Sequence, residues 1–387
     1  MFFGKGDALF QLFSPYRICP LGAHVDHQGG LVTGFAFDKG IDFLFSSTDT
    51  GKLEMCSLSF EGLTTFNVQK PIDEKQGNWG DYLRGAVWAM QADHKLKHGI
   101  RGLVQGSMPV GGVSSSAALL CGIVMAIAKV NSIKLTEMQV IEYASRAERE
   151  YVGLRNGILD QACVVLCESD KLLYLDTKTS DYKLLPFGGG KGTALPFDIG
   201  IFFSGVTRKL TGTDYNLRVT ECQTAAWMVE AYEGIPLREL DQTRLRDIDE
   251  KIFRKHESRM PERFARRAIH FYSECNRVKA GVKAWKAGDI SAFGNLVFES
   301  CESSIHNYEC GSEELIAIYE IMRGIDGIYG GRFSGAGFKG ACIALVDPKK
   351  EEDIRAKLTE QYLKRFPQYK ETFDVYFCKP CNGVEFM

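Results

Sequence analysis

The chain has 387 residues, 45% hydrophobic and 25% charged, with 47 basic side chains against 49 acidic ones. A chain of this length suits two domains and buries a core that needs no staple. The near-balance of charge removes any electrostatic case for nucleic acid or an acidic membrane as the main partner, and no run approaches the ~18 apolar residues of a membrane span.

The N-terminal stretch MFFGKGDALFQLFSPYR lacks the basic start, apolar run and small-residue cleavage site of a secretory signal, so a cytoplasmic location is expected. Residues 1–60 alternate apolar and polar stretches between Gly and Asp, which predicts strands and tight turns. Trp79, Tyr82, Leu83, Val87 and Met90 recur at helical spacing, predicting a helix over 79–99. A second helix opens at Ser114–Ser116 and runs through AALLCGIVMAIAKV, a third covers 136–153, and strands are expected over 162–176. The stretch PFGGGKGTALP (186–196) has the glycine and proline density of a hinge, dividing the chain into units 1–187 and 188–387. Beyond it, 214–232, 240–256, 261–285 and 314–324 read as helices, and 198–204, 340–346 and 373–378 as strands. The charged run FRKHESRMPERFARR mixes Glu with Arg and reads as a solvated helix face. Twelve cysteines are scattered singly, as reduced and mostly buried thiols are. Cys378 and Cys381 form one C-x-x-C, but no second ligand pair with zinc spacing lies nearby. Together these elements give an α+β, two-domain chain of enzyme size.

Three glycine-serine segments carry the chemistry. In MPVGGVSSSAALL (108–120), small residues let backbone N–H groups converge at the N-terminus of an apolar helix. Such a helix end favours phosphate, and serine both caps helices and ligates magnesium. An ordinary Gly-Ser turn capping a buried helix has the same composition. It is not a Walker A loop, and GGGKGT (188–193) fails that pattern too, because Gly follows its lysine. In SPYRICPLGAHVDHQGG (14–30), Arg17, His24, Asp26 and His27 crowd a turn between two strands, either as a functional loop or as a solvated hairpin. YGGRFSGAGFKGAC (329–342) is glycine-rich before an apolar strand, which suits close approach to a ligand or another loop.

Jointly, the three segments resemble the three motifs of the galactokinase, homoserine kinase, mevalonate kinase and phosphomevalonate kinase superfamily, the GHMP kinases. Arg17, Gly22, His24, Asp26, Gly29 and Gly30 match the galactokinase signature position by position. NWGDYLRG (78–85) resembles the adenine-pocket helix, GILDQ (157–161) the catalytic segment, and DYNLRVTEC (214–222) the segment whose tyrosine contacts the sugar. The wording of PYRICPLGAHVDHQGG, GLRNGILDQ, YNLRVTECQ, NYECG and RFSGAGF further resembles the galacturonokinase-like branch.

The resemblance implies a fold and a reaction. The fold is an N-terminal domain like ribosomal protein S5 domain 2 and a ferredoxin-like C-terminal domain, with the active site in the cleft. The reaction is transfer of the γ-phosphoryl group of ATP to the anomeric hydroxyl of a sugar. Asp160 would accept the hydroxyl proton, with Arg17 beside it; Glu148 and Ser116 would hold Mg²⁺. Pro109, Gly111, Gly112, Ser114, Ser115, Ser116 and Ala117 would cradle the phosphates, and Trp79 and Tyr82 would flank the adenine. His24, Asp26, Gly157 and Tyr215 would contact the sugar. ATP and a small sugar or sugar acid are the implied ligands, with no nucleic acid, membrane or obligatory protein partner.

Two departures from the pattern shape the expected substrate. Ala23 stands where galactokinases carry a glutamate that binds the C6 hydroxyl. A protein carboxylate about 4 Å from a second one would cost roughly 1–4 kcal/mol at effective dielectrics of 80 to 20, so its loss suits a sugar with its own C6 carboxylate. Arg155 is positioned in sequence to take that carboxylate in a bidentate pair, or else lies on the surface. D-Galacturonate is therefore the expected acceptor, with D-galactose the alternative. The phosphate loop is also one residue shorter between its proline and first serine than the family pattern. That departure leaves a second alternative, a sugar-sensing module that binds without turnover.

Overall fold

Two long strands, β1 (Leu9–Ile18) and β2 (Leu31–Thr48), form an antiparallel pair whose register runs from Leu9 opposite Ser46 to Ile18 opposite Phe35. The computed structural model describes residues 3, 8–72, 74–109, 111–190, 195–206 and 213–387. Alternation along β2 sends Phe35, Phe37, Phe43 and Phe45 into the core. Next come β3 (Lys52–Ser57), β4 (Leu63–Asn67), β5 (Gly99–Gly106), β6 (Lys171–Asp176) and β7 (Tyr182–Pro186). β5 runs antiparallel to β2 and parallel to β3, while β6 pairs with the start of β2.

Against this sheet pack α1 (Gly80–Gln91), α2 (Ser115–Val130), α3 (Glu137–Arg146), continued by a wide turn Ala147–Val152, and α4 (Leu159–Leu166). α2 is buried without a break from Ala117 to Val124, as a helix apolar all round must be. α3 starts where Thr136 and Gln139 form a reciprocal capping box.

The second sheet contains β8 (Asp198–Phe203), β9 (Ile328–Phe333), β10 (Ala341–Val346) and β11 (Asp374–Cys378), antiparallel in the order β11-β8-β10-β9. Its helices are α5 (Thr213–Glu233), α6 (Glu250–His256), α7 (Glu262–Ala287), α8 (Ile290–Ser303), α9 (Glu313–Met322) and α10 (Glu351–Arg365). After β11 the chain crosses back, and β12 (Pro380–Cys381) and β13 (Glu385–Phe386) pair with β2 and β1. Cys378 and Cys381 thus end on strands of different sheets. Among the described residues, no helix is long and apolar enough to cross a membrane.

Several elements differ from the sequence-based expectation, each for a local reason. The helix expected over 79–99 stops at Gln91, and a separate strand, β5, follows from Gly99. Glycines at 99, 102 and 106 concealed that strand from a pattern reading. Of the strands expected over 162–176, residues 162–166 are instead the end of α4 and the strand begins at Lys171, because burial overrides β-propensity there. The 240–256 helix breaks into two short turns before Asp249, whose side chain accepts from the Lys251 amide and starts α6 afresh. β4, β7, β9, α8 and α10 were not anticipated. Of the hinge segment and GGGKGT, residues 191–194 lie outside the described set.

Trp285 of α7 joins the two parts of the chain. It is fully buried, its indole Nε1 donates to the Leu185 carbonyl of β7 at 2.8 Å, and its ring lies 5.5 Å from Phe35 of β2 and 5.4 Å from Phe293 of α8. Trp285→Ala is expected to cost about 3–5 kcal/mol in urea unfolding. A loss below about 1 kcal/mol would show that this cluster does not hold the parts together.

Candidate active site

The last turn of β1 carries Arg17 into the interior, with its side chain 4% exposed. Arg17 Nε donates to Asp160 Oδ1 at 2.8 Å, and Nη1 donates to Ser334 Oγ at 3.2 Å. Burial by itself would lower the Arg17 pKa, but the charge and hydrogen bond of Asp160 more than offset it and raise it. Asp160 opens the first turn of α4. Its second oxygen accepts the hydroxyl of Ser114. Three segments distant in sequence therefore meet at one carboxylate.

Ser114 sits at the N-cap of α2 in the left-handed region, φ 57°, and its side chain caps no backbone amide. Its hydroxyl is committed to Asp160, so no side chain caps the first turn of α2 and the helix dipole faces the cavity. Gly112 precedes it with φ 80°; a Cβ there would lie 2.7 Å from the Ala341 amide nitrogen, so only glycine lets this loop rest on the 335–340 loop. Val110 lies outside the described residues.

Glu148 is buried beneath Ser116. Its Oε2 accepts from Asn156 Nδ2 at 2.8 Å and from Gln161 Nε2 at 2.6 Å. Burial, then the charge of Asp160, pushes its pKa up, while the Ser116 hydroxyl beside it favours the ionised form. Oε1 is buried and has no well-formed hydrogen bond. A carboxylate oxygen held dry beside a serine hydroxyl fits a magnesium ion, which takes few protein oxygens and completes its shell with phosphates and water.

The turn between β1 and β2 forms the opposite wall. Glu274 of α7 fixes it, accepting at Oε1 from the Gly22 amide (2.8 Å) and the Ala23 amide (3.3 Å). Burial would raise the Glu274 pKa, but Arg277, His270 and Arg332 hold it at about 2. Arg277 Nε lies 2.7 Å from Oε2, and Arg332 Nη1 lies 3.6 Å from Oε1. His24 stacks on Tyr308 at 4.5 Å, His270 Nε2 meets the Ala23 carbonyl at 3.0 Å, and His27 Nε2 meets the Tyr308 hydroxyl at 3.2 Å. Burial lowers all three imidazoles: His27 to about 3, His270 to about 4, and His24 well below its usual value with help from the Arg332 charge. They are uncharged at neutral pH. Asp26 goes the other way, pushed up to about 6 by burial and by the charge of Asp160.

These groups enclose a cavity of about 350 Å³. Arg17, Ala23, His24, Asp26, Asp160 and Tyr215 line it together with Gly111, Gly112 and the 114–116 serines. It adjoins a second cavity of about 840 Å³ lined by Trp79, and Tyr82, Ser115, Ser116 and Lys339 border both. Pro109 is exposed and Ala117 is fully buried, and neither lines either cavity. Gly157 lies against Asp26, where a Cβ would fall 2.5 Å from Oδ2, but it faces a neighbouring cavity.

Arg155 is a correction. Its guanidinium turns into that neighbouring cavity and donates to Thr220 Oγ1 at 3.3 Å and Gln223 Oε1 at 3.1 Å, while the Asn216 side chain accepts its backbone amide. The cation beside Ala23 is instead Arg332, which lines the acceptor-side cavity. Sequence reading missed Arg332, Ser334 and Lys339 as individual residues, although all three lie in the third glycine-rich segment. Tyr308 stands in the NYECG segment without being singled out, and Glu274 carried no local signal.

Comparison with known proteins gives the family and the fold. Residues 81–168 match the model of the GHMP kinases N terminal domain, and 282–364 that of the GHMP kinases C terminal domain. The chain is 40% identical to a galacturonokinase of Arabidopsis thaliana over 92% of this chain and 87% of that one. It is 32% identical to a galactokinase of Thermococcus kodakarensis over 97% and 99%. Its structure is similar to that of Lactococcus lactis galactokinase complexed with galactose, with a TM-score of 0.89, 27% identity and coverage of 99% and 96%.

Asp26 gives a test of the site's electrostatics. Its folded pKa of about 6 exceeds its ordinary value of 3.8, so its ionisation costs stability as pH rises through about 4 to 6. Asp26→Asn should therefore be more stable to urea than wild type at pH 8, by up to roughly 3 kcal/mol, with the gain vanishing near pH 4. The same variant should raise KM for the sugar. A gain in stability that does not depend on pH would contradict the assignment.

Proposed function

The chain belongs to the GHMP kinases, in the galactokinase family of sugar 1-kinases, and on that premise we propose that its acceptor is D-galacturonate, converted by ATP to galacturonate 1-phosphate. The observation that carries the choice of an acid sugar is the wall at Ala23. It presents a methyl group, and behind it two guanidiniums, Arg277 and Arg332, face one carboxylate, Glu274. That cluster alone carries one net positive charge, which a glutamate at position 23 would cancel. A unit charge about 6 Å from a sugar carboxylate is worth about 3 kcal/mol at an effective dielectric of 20. The Arabidopsis relative, itself a galacturonokinase, supports the same reading.

In this reading the sugar lies against His24, Asp26 and Tyr215 with its anomeric hydroxyl at Asp160. The anomeric oxygen attacks the γ-phosphorus, its proton passes to the Asp160 carboxylate, and the bond from that phosphorus to the bridging oxygen breaks to release ADP. Arg17 and Ser114 hold the two oxygens of Asp160, which fixes its orientation and, through Arg17, places a positive charge beside the transferring group. The uncapped start of α2 and Lys339 face the phosphates, with the adenine beside Trp79 and Tyr82. Glu148 and Ser116 would hold magnesium, which would supply charge neutralisation for the phosphoryl groups.

The test is ADP release with Mg-ATP and either D-galacturonate or D-galactose. Higher kcat/KM on galacturonate is expected, and Ala23→Glu should lower it roughly 5- to 1000-fold, the equivalent of 1–4 kcal/mol. Equal or better turnover of galactose by the wild type would overturn the assignment of the acid sugar. Binding of both ligands without ADP release would make the chain a sensor.

A further inference from the structure

Beside the acceptor cavity lies a third one, of about 760 Å³, on the outer side of the 26–29 turn. The two share Asp26 and Asn156 in their walls, so they are neighbours separated by the 155–159 segment. Arg149, Arg155, Lys178, Arg244 and Arg246 line the third cavity. Two of these cations are neutralised: Lys178 Nζ is 2.7 Å from Asp247, and Arg246 Nη2 is 2.6 Å from Asp176.

Arg155 and Arg244 are not. Among the described residues, neither has a carboxylate oxygen within 4 Å. Arg155 donates only to the neutral acceptors Thr220 and Gln223. Arg244 donates to the backbone carbonyls of Asp241 and Thr243. Burial lowers the Arg244 pKa, the charges of Asp241 and Asp247 oppose this, and the like charge of Arg155 adds to the lowering, so the two guanidiniums feel each other across the cavity. Both also lower the pKa of His27 in the acceptor turn. Glu150, Asp241 and Asp247 line the cavity too, but Glu150 is held by Arg146 and Asp247 by Lys178 and Arg238. Two planar five-donor groups with no carboxylate oxygen within 4 Å offer the fork that a phosphate or carboxylate group takes.

We propose that Arg155 and Arg244 form an oxyanion site in this cavity, separate from the nucleotide and acceptor cavities. Its ligand is a phosphate or carboxylate group carried by a small polar molecule. That molecule is a separate phosphorylated or acidic metabolite, not the acceptor sugar. Occupancy would be felt at the kinase site, because Asn156 donates to Glu148 at 2.8 Å.

The test is calorimetric titration of inorganic phosphate into the full chain saturated with Mg-ADP, so that the phosphate loop is already filled. Wild type should bind phosphate, and Arg155→Gln and Arg244→Gln should each weaken it about tenfold or more. Arg244→Lys, which keeps the charge and loses the fork, should fall between, and it serves as the readout if a glutamine variant fails to fold. Repeating the titration with saturating sugar tests that the site is separate: phosphate binding should be indifferent to galacturonate and to galactose. No phosphate binding in wild type, affinity unchanged in the variants, or displacement by either sugar would overturn the proposal.

Discussion

The guanidinium of Arg17 is buried at the end of β1, and everything around the reacting carboxylate is arranged to satisfy it. It takes one oxygen of Asp160 at the start of α4, and its other arm reaches Ser334 beyond β9. Ser114 of the phosphate loop takes the second oxygen of Asp160. Leaving one partner of such a pair unmatched costs about 3–5 kcal/mol, so the strand, the loop and the helix are bound to a common arrangement. The use of the Ser114 hydroxyl on Asp160, and not on an amide of α2, leaves the helix end uncapped toward the cavity. The need to neutralise one buried charge thus also prepares a place for phosphate.

Charge elsewhere in the site is partitioned by the same means. Three histidines lie in the acceptor wall, and burial keeps each uncharged at neutral pH. With them neutral, the Glu274, Arg277 and Arg332 cluster contributes one net positive charge behind Ala23, and Asp26 contributes a negative one above about pH 6. Asp26 is the one carboxylate of that wall that resists ionisation, with a pKa of about 6. Its ionisation costs stability inside the cavity, a common property of binding sites. The His27 imidazole also lies in the field of Arg155 and Arg244, which links the acceptor turn electrostatically to the cavity beyond it.

How much of this could be read from the sequence depended on whether the signal was local. Arg17, His24, Asp26, the 114–116 serines, Asp160 and Tyr215 stand in short motifs, and the structure sets all of them around one cavity. Long apolar helices such as α2 announced themselves by periodicity. β5 and β9 did not, because the glycines that allow close backbone approach also erase the alternation that marks a strand. Arg155 shares a short segment with Asp160, yet its direction is set by Thr220, Gln223 and Asn216 of α5, about sixty residues away. Glu274 is further still, 251 and 252 residues from the amides it fixes. Long-range contacts of that kind leave no periodic trace in a single sequence.

The central claim is that Asp160, held by Arg17 and Ser114, takes the proton of the anomeric hydroxyl. The most direct measurement is turnover of Asp160→Asn with Mg-ATP and galacturonate at saturation, alongside calorimetric binding of each ligand. The account predicts that kcat falls by about 10²–10⁴-fold while sugar and nucleotide still bind. A kcat within a few-fold of wild type, with both ligands bound, would contradict it.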